Sequence, residues 1–271
     1  MGNLRRYGDP PFKVAVIHGG PGAPGGMAPV AKALSKHQGV LEPLQTAVSI
    51  DGQVSELYDT LMECGEPPIT LIGHSWGAWL SFIFAAEHPS TTRKLILVGS
   101  GPFEEKYARG IMETRLGRLD QDERAQIRSL MVAMDDPSTT DKSAIMTRFG
   151  ELVTRADSFD QMPVEADAEV ELQPDTFRSV WAEAERLRSS GELLQRIGRA
   201  IKCPVVSIHG DYDPHPYEGV KGPLSRTLKD FRFVLLPDCG HEPWRERKAK
   251  DRFFEALAAE LVDITLRAPE E

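Results

Sequence analysis

A chain of 271 residues with 41% hydrophobic content is long enough to bury a sizeable core as one domain. Its 41 acidic against 32 basic side chains leave a net charge of −9, which argues against a phosphate-binding surface of the nucleic-acid kind. Cys64, Cys203 and Cys239 stand far apart without C-x-x-C pairing, and no segment reaches the roughly 18 apolar residues of a membrane span, so the expectation is a cytoplasmic protein with reduced thiols and no membrane attachment.

From the N-terminus, "KVAVIHGG" (13–20) reads as a buried strand breaking into a glycine-rich loop, and "PVAKALSKH" as the helix after it. A weaker strand, "VLEPLQT", precedes "DGQVSELYDTLMECG", which opens with Asp51 as a helix N-cap and closes at Gly65 as a C′ residue. "PITLIGHSWG" is a strand, "AWLSFIFAAEHP" a mostly buried helix ended by Pro89, and "RKLILVGSG" a strand again. This βαβαβαβ alternation predicts a mostly parallel sheet with helices on both faces.

From about Pro102 to Ala200 the period becomes helical, as in "DERAQIRSLMVAMDD", "KSAIMTRFGELVTRA" and "DTFRSVWAEAERLRSSGELLQRIGRA", with no convincing strand between. Strands return with "CPVVSIHGDYDP" and "FRFVLLPDCGH", separated by a helix around 217–229 and followed by an amphipathic helix through "RKAKDRFFEALAAELVDITL". The reading is an α/β core of residues 1–101 and 201–271, with residues 102–200 inserted as a helical lid over one end of the sheet.

"GHSWG" (73–77) places Ser75 between a strand and a helix. A residue on so tight a turn takes strained backbone angles and needs small neighbours two positions away, which Gly73 and Gly77 supply. The turn projects the hydroxyl at the C-terminal edge of the sheet, beside the N–H groups of the helix start. The other reading of the same five residues is a serine that N-caps the helix. A serine hydroxyl is a weak nucleophile until a base takes its proton, and the base needs an acid to hold its tautomer. "HGDYDPHP" and "PDCGHEPW" offer such partners in the order acid, then histidine, each just beyond a predicted strand. Ser75, an aspartate at 211 or 213 and His241 can therefore meet at one edge of the sheet.

With these motifs the chain resembles the α/β-hydrolase family over essentially its whole length, and "HGGPG" (18–22) with "GHSWG" resembles its proline iminopeptidase-like branch. The resemblance implies a serine hydrolase with Ser75 as nucleophile, His241 as general base and Asp213 as the orienting carboxylate, since the family's acid lies three residues after a glycine that matches Gly210. Asp211 would then bond loop N–H groups. An oxyanion hole from the backbone N–H groups of Gly20 and Trp76 is implied as well. In iminopeptidase-like relatives, lid glutamates hold the substrate's free amino group, and Glu151 in "RFGELVTRA" is the candidate here. Residues 156–177 carry Asp157, Asp160, Glu165, Asp167, Glu169, Glu171 and Asp175 but no lysine or arginine, either a solvated face or a wall that binds an ammonium group. His18, His74 and His209 fall beside positions where the family uses histidine structurally, while His37, His88 and His215 read as solvated or capping residues. Only about a dozen residues precede "KVAVIHGG", where the family has two antiparallel strands. The expected sheet is therefore shortened to about six strands, with an open edge that could pair in a homodimer.

No G-x-G-x-x-G follows a strand and no H-E-x-x-H occurs, so neither cofactor nor metal is expected. The expected substrate is a small molecule or short peptide, cleaved at an amide or ester through an acyl-enzyme, with an aminopeptidase of proline iminopeptidase type as one form. Carboxylesterase, lactonase or C–C bond hydrolase activity are the enzymatic alternatives, because fold and triad do not fix the substrate. A ligand-binding receptor or scaffold is the non-enzymatic one.

Overall fold

The computed structural model describes residues 3–136, 138–163 and 172–261. Strand β1 (Leu4–Tyr7) is followed by β2 (Phe12–Ile17), helix α1 (Ala28–Leu34), β3 (Gly39–Pro43), α2 (Ile50–Cys64), β4 (Ile69–His74), α3 (Trp76–Glu87) and β5 (Thr92–Val98). Helices α4 (Glu105–Ala108), α5 (Ile111–Gly117), α6 (Gln121–Asp135), α7 (Lys142–Asp157) and α8 (Pro174–Ser189) then precede a π-helical turn, Leu193–Gly198. The chain returns to the sheet with β6 (Val205–Gly210), α9 (Glu218–Thr227), β7 (Phe231–Leu236) and α10 (Lys250–Leu261).

The seven strands form one sheet in the order β1-β3-β2-β4-β5-β6-β7. Every neighbouring pair is parallel except β1 with β3, where Leu4 faces Pro43 and Tyr7 faces Val40 in antiparallel register. The sheet thus has one strand more than the six expected. "LRRY" escapes a search for apolar runs because β1 is an edge strand, half-exposed and fixed by polar contacts: Tyr7 Oη donates to Glu42 Oε2 at 2.7 Å.

The central strands are buried on both faces, and their period of two splits one apolar run between two cores. Ala15, Ile17, Leu71, Leu95 and Leu97 pack with Val54, Leu57 and Leu61 of α2 and Trp79, Phe82 and Phe84 of α3. Val14, Val16, Ile72, Ile96 and Val98 pack on the other side with Val30 and Leu34 of α1 and Phe253 and Leu257 of α10. Helix α3 is apolar all round because it is buried all round, and among the described residues no helix is long and apolar enough to cross a membrane.

Helix boundaries differ from the sequence reading in instructive ways. The N-cap of α2 is Ser49, whose Oγ accepts from Gly52 N–H at 3.1 Å; Asp51 lies inside the first turn, where the helix dipole favours its charge. Gly65 does cap α2, but at φ −102°, not left-handed; glycine is needed because a Cβ there would press on Leu61 O at 2.7 Å. The helix expected from Asp175 to Ala200 breaks at Gly191, φ +78°, into α8 and the π-helical turn. The inserted helices are tied to the sheet layer: Glu183 Oε2 in α8 accepts Ile50 N–H at 2.8 Å, and Trp181 stacks on Trp79 with centroids 6.2 Å apart.

Candidate active site

Strand β4 ends at His74 and α3 begins at Trp76, so Ser75 makes the whole turn at φ 52°, ψ −113°. A non-glycine residue held there costs about 1–3 kcal/mol of strain. Main-chain bonds from Ser75 N–H to Val98 O at 2.9 Å and from Ala78 N–H to Ser75 O at 3.1 Å hold the conformation. Gly73 and Gly77 make room for it: a Cβ on Gly73 would collide with Gly77 O, and one on Gly77 with Ile17 O. The Ser75 side chain does not cap α3, so the turn presents a hydroxyl that serves no local structure.

The loop after β2 lies beside this turn. A Cβ on Gly19 would come within 3.2 Å of the Ser75 Cβ. Gly20 takes φ +55°, and its carbonyl turns inward to accept from Gly22 N–H at 2.7 Å and Ala23 N–H at 3.1 Å. Trp76 buries its indole, which donates to Gln53 Oε1 at 2.9 Å. As the first residue of α3, its N–H has no acceptor within the helix. Of the two N–H groups named from the sequence, that of Gly20 therefore belongs to the loop after β2 and that of Trp76 to the first turn of α3.

Of the two candidate aspartates, Asp213 is the one that meets His241. His241 Nδ1 donates to Asp213 Oδ2 at 2.7 Å, and the carboxylate is wholly buried. Asp211 instead accepts Cys239 N–H at 3.3 Å, a loop-fixing bond. His74, next to Ser75, places Nε2 3.0 Å from His241 O, with ring centroids 4.7 Å apart. His241 is thereby held beside the elbow, although no hydrogen bond joins Ser75 Oγ to His241 among the described residues. Such contacts commonly close only when substrate is bound.

Electrostatics polarise the pair. Burial alone would raise the Asp213 pKa, but the pull of His241, then His215 and His209, holds it well below the usual carboxylate range. Burial alone would lower His241, yet the adjoining Asp213 carboxylate raises it above the ordinary 6.5. The pKa values of His74 and His209 are lowered, chiefly by burial.

His215 is where the sequence reading fails. It is not solvated and caps no helix: it is buried against the Asp213 carboxylate, with Nδ1 2.8 Å and its backbone N–H 2.9 Å from Asp213 Oδ1. Its ring lies 4.6 Å from that of His241. Asp213, His215 and His241 hold their donor atoms within 4.8 Å of one another, but Nδ1 of each ring is engaged with the carboxylate. The only local signal was a histidine two residues beyond the acid, a spacing that sequence alone gives no reason to weigh.

Glu151, the residue named for a substrate amine, is exposed on α7 and ion-paired with Arg148 at 2.7 Å. The acidic run finds its cations elsewhere in the chain. Asp157 is gripped in two-pronged fashion by Arg115 at 2.7 and 2.6 Å, Asp175 pairs with Arg178 at 2.7 Å, and Asp160 lies 3.5 Å from Arg247. Glu165, Asp167, Glu169 and Glu171 lie outside the described residues. The segment after α7 is stapled to the histidine loop, as Glu246 accepts the N–H groups of Gly240, Phe159 and Asp160 at 3.0, 2.8 and 2.7 Å. His241 N–H itself donates to Asp157 O at 2.9 Å.

Comparison with known proteins agrees with this architecture. The sequence pattern of the alpha/beta hydrolase fold matches residues 50–244. Monoacylglycerol lipase ABHD6 of Bos taurus is 25% identical over 218 residues, covering 79% of this chain and 62% of that protein, so the chain spans less than two thirds of its relative's length. Among solved structures, VinJ superposes with a TM-score of 0.66 at 19% identity, over 96% of this chain and 94% of its own. The Paleococcus ferrophilus monoacylglycerol lipase gives 0.61 at 18% identity, over 96% and 98%.

Proposed function

The chain belongs to the α/β-hydrolase family, and from that premise we propose that it is a serine hydrolase acting on a carboxylic ester. The observation that carries the reading is the 2.7 Å Asp213–His241 bond at the strand ends, beside a serine strained on its turn. Ser75 Oγ attacks the ester carbonyl while His241 Nε2 takes its proton. Gly20 and Trp76 N–H groups receive the charge that develops on the carbonyl oxygen. Collapse breaks the bond to the alcohol, which leaves with the proton from His241. Water, deprotonated by the same imidazole, then attacks the acyl-enzyme; the bond to Ser75 Oγ breaks, His241 returns that proton to Oγ, and the carboxylic acid is released. Asp213 keeps the proton on Nδ1, so Nε2 is the nitrogen that takes and returns the proton in both half-reactions.

An ester is favoured over a peptide amide because the curated relative, 25% identical over 218 residues, is named as a monoacylglycerol lipase and because Glu151, the residue assigned to a substrate amine, is exposed on α7 and engaged with Arg148. The test is a panel of p-nitrophenyl esters beside free and N-acetylated prolyl and alanyl naphthylamides, with labelling by a fluorophosphonate. Ester turnover and labelling, both lost in Ser75→Ala, are expected. A preference for free-amine amides would return the reading to the aminopeptidase type. Absence of labelling would favour a ligand-binding role.

A further inference from the structure

Asp213 carries two imidazoles, where a triad requires one. Oδ2 receives His241 Nδ1, while Oδ1 receives both the Nδ1 and the backbone N–H of His215, at 2.8 and 2.9 Å. The carbonyl of His215 is engaged too, 2.8 Å from His209 Nε2. That bond assigns the proton of His209 to Nε2, consistent with a buried Nδ1 that has no partner. The residue is thus fixed at three points, and its ring lies against that of His241 at an angle of 31°.

Resting on the serine hydrolase reading above, we infer that His215 is a positioning residue that clamps Oδ1 of Asp213, so that the carboxylate presents Oδ2 to His241 and tunes the basicity of that imidazole. His215 donates as a neutral ring: burial lowers its pKa to about 4, against the raising pull of Asp213 and together with the lowering push of His241 and Arg115. A neutral ring bonded through Nδ1 to a carboxylate keeps its hydrogen there. Two N–H donors on Oδ1 withdraw charge from the carboxylate and weaken its hold on the His241 proton. The groups that face this pair are Asp213 and His209 from the β6 side, His74 from the elbow, and Arg115 and Asp157 from the inserted helices.

Removing the donor should strengthen the grip of Asp213 on the His241 proton. In His215→Phe the His241 pKa is expected to rise by about one unit, leaving about tenfold less free base at pH 6. Asparagine places an amide N–H near the position of Nδ1, so His215→Asn is expected to restore the wild-type titration. The experiment is the pH dependence of the fluorophosphonate labelling rate, together with NMR titration of the His241 ring, in wild type and both variants. An upward shift in Phe that Asn reverses supports the clamp. Equal titration in all three, or an Asn variant shifted as far as Phe, overturns it and leaves His215 as packing only. The NMR titration answers without turnover, so a wild type that is never labelled would sink the hydrolase reading while the clamp is still judged on its own.

Discussion

At the scale of single residues, the choice between neighbouring aspartates is the sharpest. Asp213→Asn should lower kcat by about four orders of magnitude, the loss expected when the base is held in the wrong tautomer. Asp211→Asn removes a loop bond worth about 1 kcal/mol and should leave kcat within a few-fold. Comparable losses in the two variants, measured by steady-state kinetics, would contradict the assignment. The pH profile follows from the same carboxylate. Asp213 raises the His241 pKa above 6.5, and only the neutral imidazole can accept the Ser75 proton, so kcat/KM should climb with pH along an acidic limb centred above 6.5. A limb centred below 6.5 would mean that the carboxylate does not govern the base.

Between elements, two junctions decide whether those residues meet. The first is the crossing of the elbow with β2, where Gly77 passes so close to Ile17 O that no side chain fits. Gly77→Ala should cost about 2 kcal/mol or more, read as a lower urea midpoint, since the only relief is a shift of two buried backbones. The second junction is the staple at Glu246, a buried carboxylate that spends both oxygens on N–H groups of the histidine loop and of the segment after α7. Glu246→Gln replaces one acceptor by a donor facing donors. Amide exchange at Phe159, Asp160 and Gly240 should accelerate together as the junction loosens. If only one of the three amides responds, the two segments are not joined through this side chain.

Across the whole molecule, buried histidines set the response to acid. His18, His74, His209 and His215 all have folded pKa values below 6.5, so the unfolded chain binds protons that the folded one refuses. Stability should therefore fall as pH drops from 6.5 toward the value of about 4 at His215. Asp213, depressed in the fold, contributes stability above its ordinary pKa of 3.8 that is lost only as pH falls further, through its folded value. His241 acts in the opposite sense: its contribution is full below 6.5 and disappears as pH rises through its raised folded pKa. Urea midpoints at pH 7 and pH 4.5 check the balance, with a lower midpoint expected at pH 4.5.

Much of this architecture was legible in the chain itself, because its signals are local. Apolar runs of strand length ending at Gly19, Gly73 and Gly210 marked the parallel core, and the elbow is a steric statement in five residues, since only small residues at 73 and 77 tolerate a strained Ser75. The order Ser75, an aspartate at 211 or 213, then His241 could be read because each follows its strand within a few residues; the choice of Asp213 came from the family resemblance. What escaped depends on partners far apart in sequence. Strand β1 is defined by pairing with β3, the acidic run by Arg115 and Arg247 from beyond it, and Glu151 by the face that α7 turns to solvent. His215 is the clearest case. Nothing in "DPHP" distinguishes a solvated histidine from one buried against a carboxylate, and only the convergence of the β6 and β7 loops surrounds it with His209, Asp213 and His241. Sequence determined which residues stand at the strand ends, through steric and apolar preferences that act over a few residues; tertiary structure decided their burial and partners, because desolvation and charge depend on everything the fold brings within a few ångströms.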